Sequence, residues 1–308
     1  MSKLQQDQQA ERLYEDSIAD RYNRDYHEPP IMQWHSENFA LFVKSLFRPG
    51  DRVLDLGCGS ASLWPQWQKY LPNADQVVGV DLSPGMVTEA KRLFPTGDFR
   101  VGSFFDIPSE DGTFDIVIVS SAFHHIADEH LPAALAEIHR VLDEHGMLIG
   151  REPLVSGRLG DRGGWFSGAL MNLRHMAYRL THTREYPEPD PGPAHHAYNA
   201  EEFLDIINRV FNPSKIEFKH PVSLYLSRVR HPIVAKIAEM LDESIGHREG
   251  QEIFYAATKN YVSEADVVSC IRLALEENHI HDLPEFLAQV EAATRVIESR
   301  LSVEKDHI

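Results

Sequence analysis

The sequence predicts an α/β fold built on a doubly wound, mostly parallel sheet. Three observations carry that prediction. Short apolar runs rich in valine, isoleucine and leucine stand at Val53–Leu56, Gln76–Val80 and Phe114–Val119, the composition expected of strands covered on both faces. Stretches with helical spacing of apolar residues alternate with them as far as residue 153. The first run ends in Asp55-Leu56-Gly57-Cys58-Gly59, where the glycines allow a tight turn and leave room for a ligand beside the backbone. A chain of 308 residues is ample for one such domain with insertions.

Taken in order, residues 1 to about 30 are polar and helical in part, with Tyr14, Ile18 and Tyr22 at four-residue spacing on one face. Trp34, Phe39, Phe42, Val43, Leu46 and Phe47 repeat at helical spacing and predict a helix over 34–47. Arg48 to Asp51 is the turn into the first strand. A helix follows from Ser62 to Tyr70, with Pro65 tolerated in its first turn. After strand two, Ser83 reads as an N-cap with Pro84 at the first helical position. Strand three is short, Phe99 to Val101, and strand four is Phe114 to Val119. A helix from Leu131 to Leu142 leads to strand five, Met147 to Gly150, which ends at Arg151-Glu152-Pro153.

The pattern changes over residues 154–200. Scattered glycines, a helix near 166–180 and the proline-rich run 187–193 predict an α-helical lid insertion. Beyond it, residues 201–211 predict an amphipathic helix capped by Asn199. Ile216 to Phe218 and Val222 to Leu226 predict strands, Ile233 to Leu241 a helix, and Ile253 to Ala257 a last strand. Residues 1–258 are thus one domain. Residues 259–308, with helical spacing from Val267 to Leu301, form a C-terminal helical extension, predicted as a hairpin.

The bulk numbers disfavour some partners. Asp plus Glu is 47 and Lys plus Arg is 30, a formal charge of −17 that repels phosphate backbones and anionic membranes. Two cysteines, Cys58 and Cys270, make neither a disulfide framework nor a zinc pattern. The N-terminus lacks the apolar core of a signal peptide, and no run is long enough to span a membrane, so a cytoplasmic enzyme is expected.

The acids around the glycine turn narrow the ligand. Asp55 stands where it would repel a pyrophosphate and attract a cation, and Asp81 ends strand two, placed for ribose hydroxyls. An adenosine carrying an amino-acid tail and a sulfonium, S-adenosylmethionine, meets both requirements. With VLDLGCGSA, GVDLSPGMV, FDIVIVSSAFHHI and EIHRVLDEHGMLI in order, the chain resembles the class I S-adenosylmethionine-dependent methyltransferases. It is most similar to the ubiquinone- and menaquinone-biosynthesis enzymes and the natural-product small-molecule enzymes of that family. The resemblance covers residues 10–155 well. It implies a Rossmann-like sheet with an antiparallel last strand. It also implies a cofactor-binding set of Tyr22, Asp55, Gly57, Gly59, Asp81, Leu82, Met86, Ser103, Phe104 and Ser120. Tyr22 would lie over the methionine end or pack on the sheet edge, and Met86 would pack on adenine or in the core. Relatives carry an acid at the position of Ser103, where a hydroxyl or a backbone carbonyl would have to serve.

The expected reaction is methyl transfer to an oxygen, nitrogen or carbon of a small molecule, as in secondary metabolism. The competing readings are a protein or nucleic-acid methyltransferase and a cofactor-binding scaffold without turnover. Residues after strands four and five lie at the ligand edge, which selects Ser120, His124, His125 and Glu152. His125 is a candidate base or a packing residue, and Glu152 would orient an acceptor or cap a helix. The lid offers His175, Tyr178, Tyr186, His195, His196 and Tyr198, of which His196 joins the catalytic candidates. The local pairs His195 with His196 and His279 with His281 lack a matching acidic or cysteine set at ligand spacing, so no metal is expected. A monomer and a homodimer both remain open.

Overall fold

The computed structural model describes residues 2–71, 77–156, 198–220, 222–226, 231–245 and 251–259. The chain divides into two units, Met1–Asn260 and Tyr261–Ile308, and the second, with the predicted C-terminal extension, lies outside the described residues. So does nearly all of the predicted lid.

The elements are α1 (Lys3–Ile18), α2 (Pro30–Lys44), β1 (Val53–Leu56), α3 (Trp64–Tyr70), β2 (Val77–Asp81), α4 (Pro84–Leu93), β3 (Asp98–Val101), β4 (Phe114–Ser120), α5 (Leu131–Val141), β5 (Leu142–Ser156), β6 (Tyr198–Asn199), α6 (Ala200–Asn208), β7 (Asn212–Lys219), α7 (Pro232–Ile245) and β8 (Glu252–Thr258). Short 3-10 turns follow β4 at Phe123–His125 and β7 at Ser223–Leu226, and a π turn, Asn23–His27, links α1 to α2. The sheet order is β3-β2-β1-β4-β5-β8-β7, with β6 paired to β5. Strands β1 to β5 are mutually parallel, whereas β8 runs antiparallel to β5 and β7.

Alternation along the strands divides the core in two. Ile116, Ile118, Phe254 and Ala256 face one layer with Phe39 and Val43 of α2 and Trp64 and Trp67 of α3. Val117, Val119, Ile253 and Tyr255 face the other with Leu135 and Ile138 of α5 and Phe203 and Ile207 of α6. The chain winds to one side of β1 through β2 and β3, then returns to the other side through β4 and β5. The order therefore reverses between β1 and β4, and a crevice opens at their carboxyl ends.

Local signals explain the helix starts. The Ser83 hydroxyl accepts from Met86 N at 3.0 Å, and the Asn199 side chain accepts from Glu201 N at 2.9 Å. Two expectations are corrected. Residues 222–226 hold a 3-10 turn, not a strand, because Asp242 Oδ1 accepts from Val222 N (2.8 Å) and Ser223 N (3.2 Å), which closes the backbone on itself. Strand β5 begins at Leu142 and runs to Ser156, longer at both ends than Met147–Gly150. Leu142 pairs with Phe114 ahead of a register shift, and Arg151 to Pro153 pair with β8.

Candidate functional site

The crevice is floored by the turn after β1. Gly57 and Gly59 have φ of +74° and +54°, a region that residues with a Cβ adopt at a cost. Space is tight at Gly57 as well: a Cβ there would stand 3.0 Å from Ala122 Cβ and 3.3 Å from Phe104 Cζ. Gly57 N and Cys58 N donate to Val80 O at 2.8 and 3.1 Å, which ties the turn to the end of β2. Cys58 itself is buried, with its thiol pushed well above the ordinary range by burial and by Asp81 and Asp55, so it fills space.

Two cavities meet over this floor. One is lined by Leu56, Gly57, Gly59, Asp81, Leu82, Ser103, Phe104, Ala122, His125 and Ile126, and on the α1 side by Glu11 and Glu15. The other is lined by Tyr22, His27, Met32, Asp55, Ser120, His124, His125 and Arg151. Glu15, Tyr22, Gly57, Gly59, Ser121 and His125 border both, so the two form a continuous cleft. Helix α1 is pinned beside it by Asp16, whose Oδ1 accepts from Ser83 Oγ (2.5 Å) and Gly85 N (2.8 Å).

Two carboxyls shape the field. Asp55 is 2% exposed, and Trp67 Nε1 donates to its Oδ2 at 2.9 Å. Burial pushes its carboxyl up to about 6, opposed by the Trp67 bond and reinforced by Asp81. Asp81 accepts from Gly59 N (2.8 Å) and Ser83 N (2.9 Å), so it braces the glycine turn while lining the cleft. Burial raises it too, against those two backbone donors.

The far wall carries the histidines. His124 Nδ1 lies 2.8 Å from Glu152 Oε2, and Glu152 Oε1 accepts from Ala122 N (3.0 Å) and Phe123 N (2.8 Å). Glu152 is fully buried and lines neither cavity; it clamps the turn that presents both histidines. His125 Nδ1 lies 2.8 Å from Glu11 Oε1. Burial would lower the His125 pKa, but Glu11, Glu15 and Glu152 outweigh it and raise the group above its ordinary value. Glu15, in turn, is pushed up to about 8, chiefly by burial. Ser121 has φ of +54°, a strained conformation at the switch point, and its N donates to Arg151 O at 2.8 Å.

The cleft thus gathers Tyr22, Asp55, Gly57, Gly59, Asp81, Leu82, Ser103, Phe104, Ser120 and His125 from the sequence-selected set. Met86 packs with Ile18 and Ala19 instead, in the core. His196 lies outside the described residues. Sequence reasoning passed over Glu11, Glu15, His27 and Arg151. Arg151 Nε donates to Ser120 Oγ at 2.8 Å and places a buried cation in the second cavity. Its nearest signal was its position at the end of β5, one residue before Glu152.

Residues 53–146 match a family model described as a methyltransferase domain. A demethylmenaquinone methyltransferase of Symbiobacterium thermophilum is 31% identical over 140 residues, covering 44% of this chain and 55% of the relative. The chain spans about half the length of the curated relatives it matches. Among solved structures, a methyltransferase from a Haloferax volcanii complex with the activator Trm112 superposes with a TM-score of 0.51 at 19% identity, covering 81% of this chain and 97% of that one. A protein titled a [4+2]-cyclase superposes with a TM-score of 0.52, also at 19% identity, covering 82% and 96%. These two likenesses show the fold.

Proposed function

We propose, for a chain whose residues 53–146 match a methyltransferase-domain family model, that it moves the methyl group of S-adenosylmethionine to an oxygen, nitrogen or carbon of a small-molecule acceptor, such as those of secondary metabolism. The observation that carries the reading is the cleft at the β1/β4 switch point, where a side-chain-free glycine turn lies between two carboxyls, the buried Asp55 and the half-buried Asp81. The residues fit the cofactor part by part. Leu82, Phe104, Ala122 and Ile126 offer apolar walls to an adenine, and Asp81 faces the ribose position. Asp55 supplies negative charge where a sulfonium would sit, and the Arg151 guanidinium suits a carboxylate tail.

Bound cofactor supplies an electrophilic methyl carbon on sulfur. The chain's task is to hold an acceptor in line with it, and orientation of that kind is worth about 7–11 kcal/mol. With Nδ1 turned to Glu11, His125 would take the acceptor proton at Nε2, and Glu152 would act through His124 by fixing the turn. The formal net charge of −17 supports a small acceptor over a nucleic acid. Among the described residues no helix is long and apolar enough to cross a membrane.

Calorimetric titration with S-adenosylmethionine and S-adenosylhomocysteine tests the reading. One equivalent bound, at micromolar affinity, is the expected result; absence of uptake by the folded chain would overturn it.

A further inference from the structure

We propose that His35, His220 and Glu252 form a binding site for one divalent transition-metal ion of the zinc or iron(II) class, behind the cleft. The three residues come from α2, from the end of β7 and from the start of β8, and they are 0%, 2% and 3% exposed. One ligand atom from each lies within 4.8 Å of the others. His220 Nε2 is 3.6 Å from Glu252 Oε2. His35 Nδ1 and Glu252 Oε2 are buried without a hydrogen-bond partner. Leaving such atoms bare costs about 1–3 kcal/mol each, more for a charged group. Two imidazoles and one carboxylate are a recurrent donor set for zinc and for non-haem iron(II).

The surroundings have the form of an outer shell. A metal-bound histidine usually engages its second nitrogen with a carboxylate or hydroxyl that fixes the ring. His35 Nε2 lies 2.6 Å from Ser223 Oγ, and Ser223 Oγ donates to Asp242 Oδ2. His220 Nδ1 lies 3.5 Å from the same Asp242 oxygen. One buried carboxylate therefore orients both rings from the side away from Glu252. His220 is held inward by a φ of +57°, a strained backbone at the strand end. The site also has charge for a cation: Glu252 and Asp242, with Arg151 Nη1 3.7 Å from Glu252 Oε1 as the opposing charge. The two rings stack at 3.7 Å and 21°, so coordination requires them to splay until the ligand atoms stand about 3–3.5 Å apart. The same Ser, His and Asp are too buried to serve as a nucleophilic triad.

The ion would tie α2 to the β8 edge and discharge Glu252. Because Arg151 bridges Glu252 and Ser120, it would also stiffen the wall of the cleft. The ligands stand 185 and 32 residues apart, which explains why no local spacing announced them.

The test uses the full chain, stripped with chelator and titrated with Zn²⁺, then with Co²⁺ as a spectroscopic probe. One equivalent of metal is expected, with a cobalt d–d spectrum of a low-coordinate nitrogen and oxygen site. His35→Ala should lower affinity at least tenfold. His35→Cys should bind and add a thiolate-to-cobalt charge-transfer band, a signature that does not depend on stability. Glu15→Gln should bind as the parent does, because the other cluster of metal-type donors among the described residues, Glu11, Glu15 and His125, lies in the cleft. No saturable binding, no charge-transfer band from a folded His35→Cys, or loss of the ion in Glu15→Gln would each overturn the assignment.

Discussion

Replacing Trp67 by phenylalanine isolates the electrostatic part of the proposed cofactor site. The ring packs edge-on to Phe39, and phenylalanine preserves most of that contact. What it removes is the 2.9 Å bond from Nε1 to Asp55. A hydrogen bond to a charged group is worth about 1.5–3 kcal/mol. At 1.36 kcal/mol per pH unit, its loss raises the Asp55 midpoint by about one to two units. The parent carboxyl, already at about 6, would then titrate near 7 to 8. Only the ionised form attracts a sulfonium, so affinity for S-adenosylmethionine falls as pH drops through the midpoint. At pH 7 the parent Asp55 is mostly ionised, whereas the variant is between half and about a tenth ionised, which predicts binding about twofold to tenfold weaker. At pH 9 the difference should vanish. Calorimetry across pH 5–9 reads both chains, and S-adenosylhomocysteine, which lacks the positive sulfur, should show a smaller pH dependence. A shared midpoint for the two chains, or equal pH dependence for the two ligands, would refute the role given to Asp55.

Asp81→Ala removes a carboxylate that both lines the cleft and braces Gly59; cofactor affinity should fall about tenfold to a hundredfold by calorimetry, and an unchanged affinity would remove its ribose role. His125→Ala should slow turnover by about 10²–10⁴ while changing cofactor affinity little, and unaltered turnover would exclude it as the base. Glu152→Ala strands three donors in the interior, so urea unfolding should show a loss of about 3 kcal/mol or more; intact stability with lost turnover would instead move Glu152 into the chemistry.

How far the sequence was legible depended on whether the signal was local. The strands β1, β2 and β4 and the caps Ser83 and Asn199 are local signals, and they stand where the residues place them. Residues 222–226 are apolar enough to read as strand, but Asp242, sixteen or more residues away, closes them into a turn that no local pattern reveals. The end of β5 was a question of parity. Successive strand residues point to opposite faces, and the sequence reading chose Glu152 over Arg151 by residue type, without the parity that decides which of them faces the cleft. The register decides it: Arg151 sits beside Ser120, toward the second cavity, and Glu152 turns to the backbone of Ala122 and Phe123. The acids of α1 show the same limit from another side. Glu11 and Glu15 are one turn apart on a polar helix and look like a solvated face, until Asp16 anchors that helix to α4 and swings the pair beside His125. Side chains that act through a distant partner become visible only when the partner's place is known, and the cleft is built mainly from such pairs.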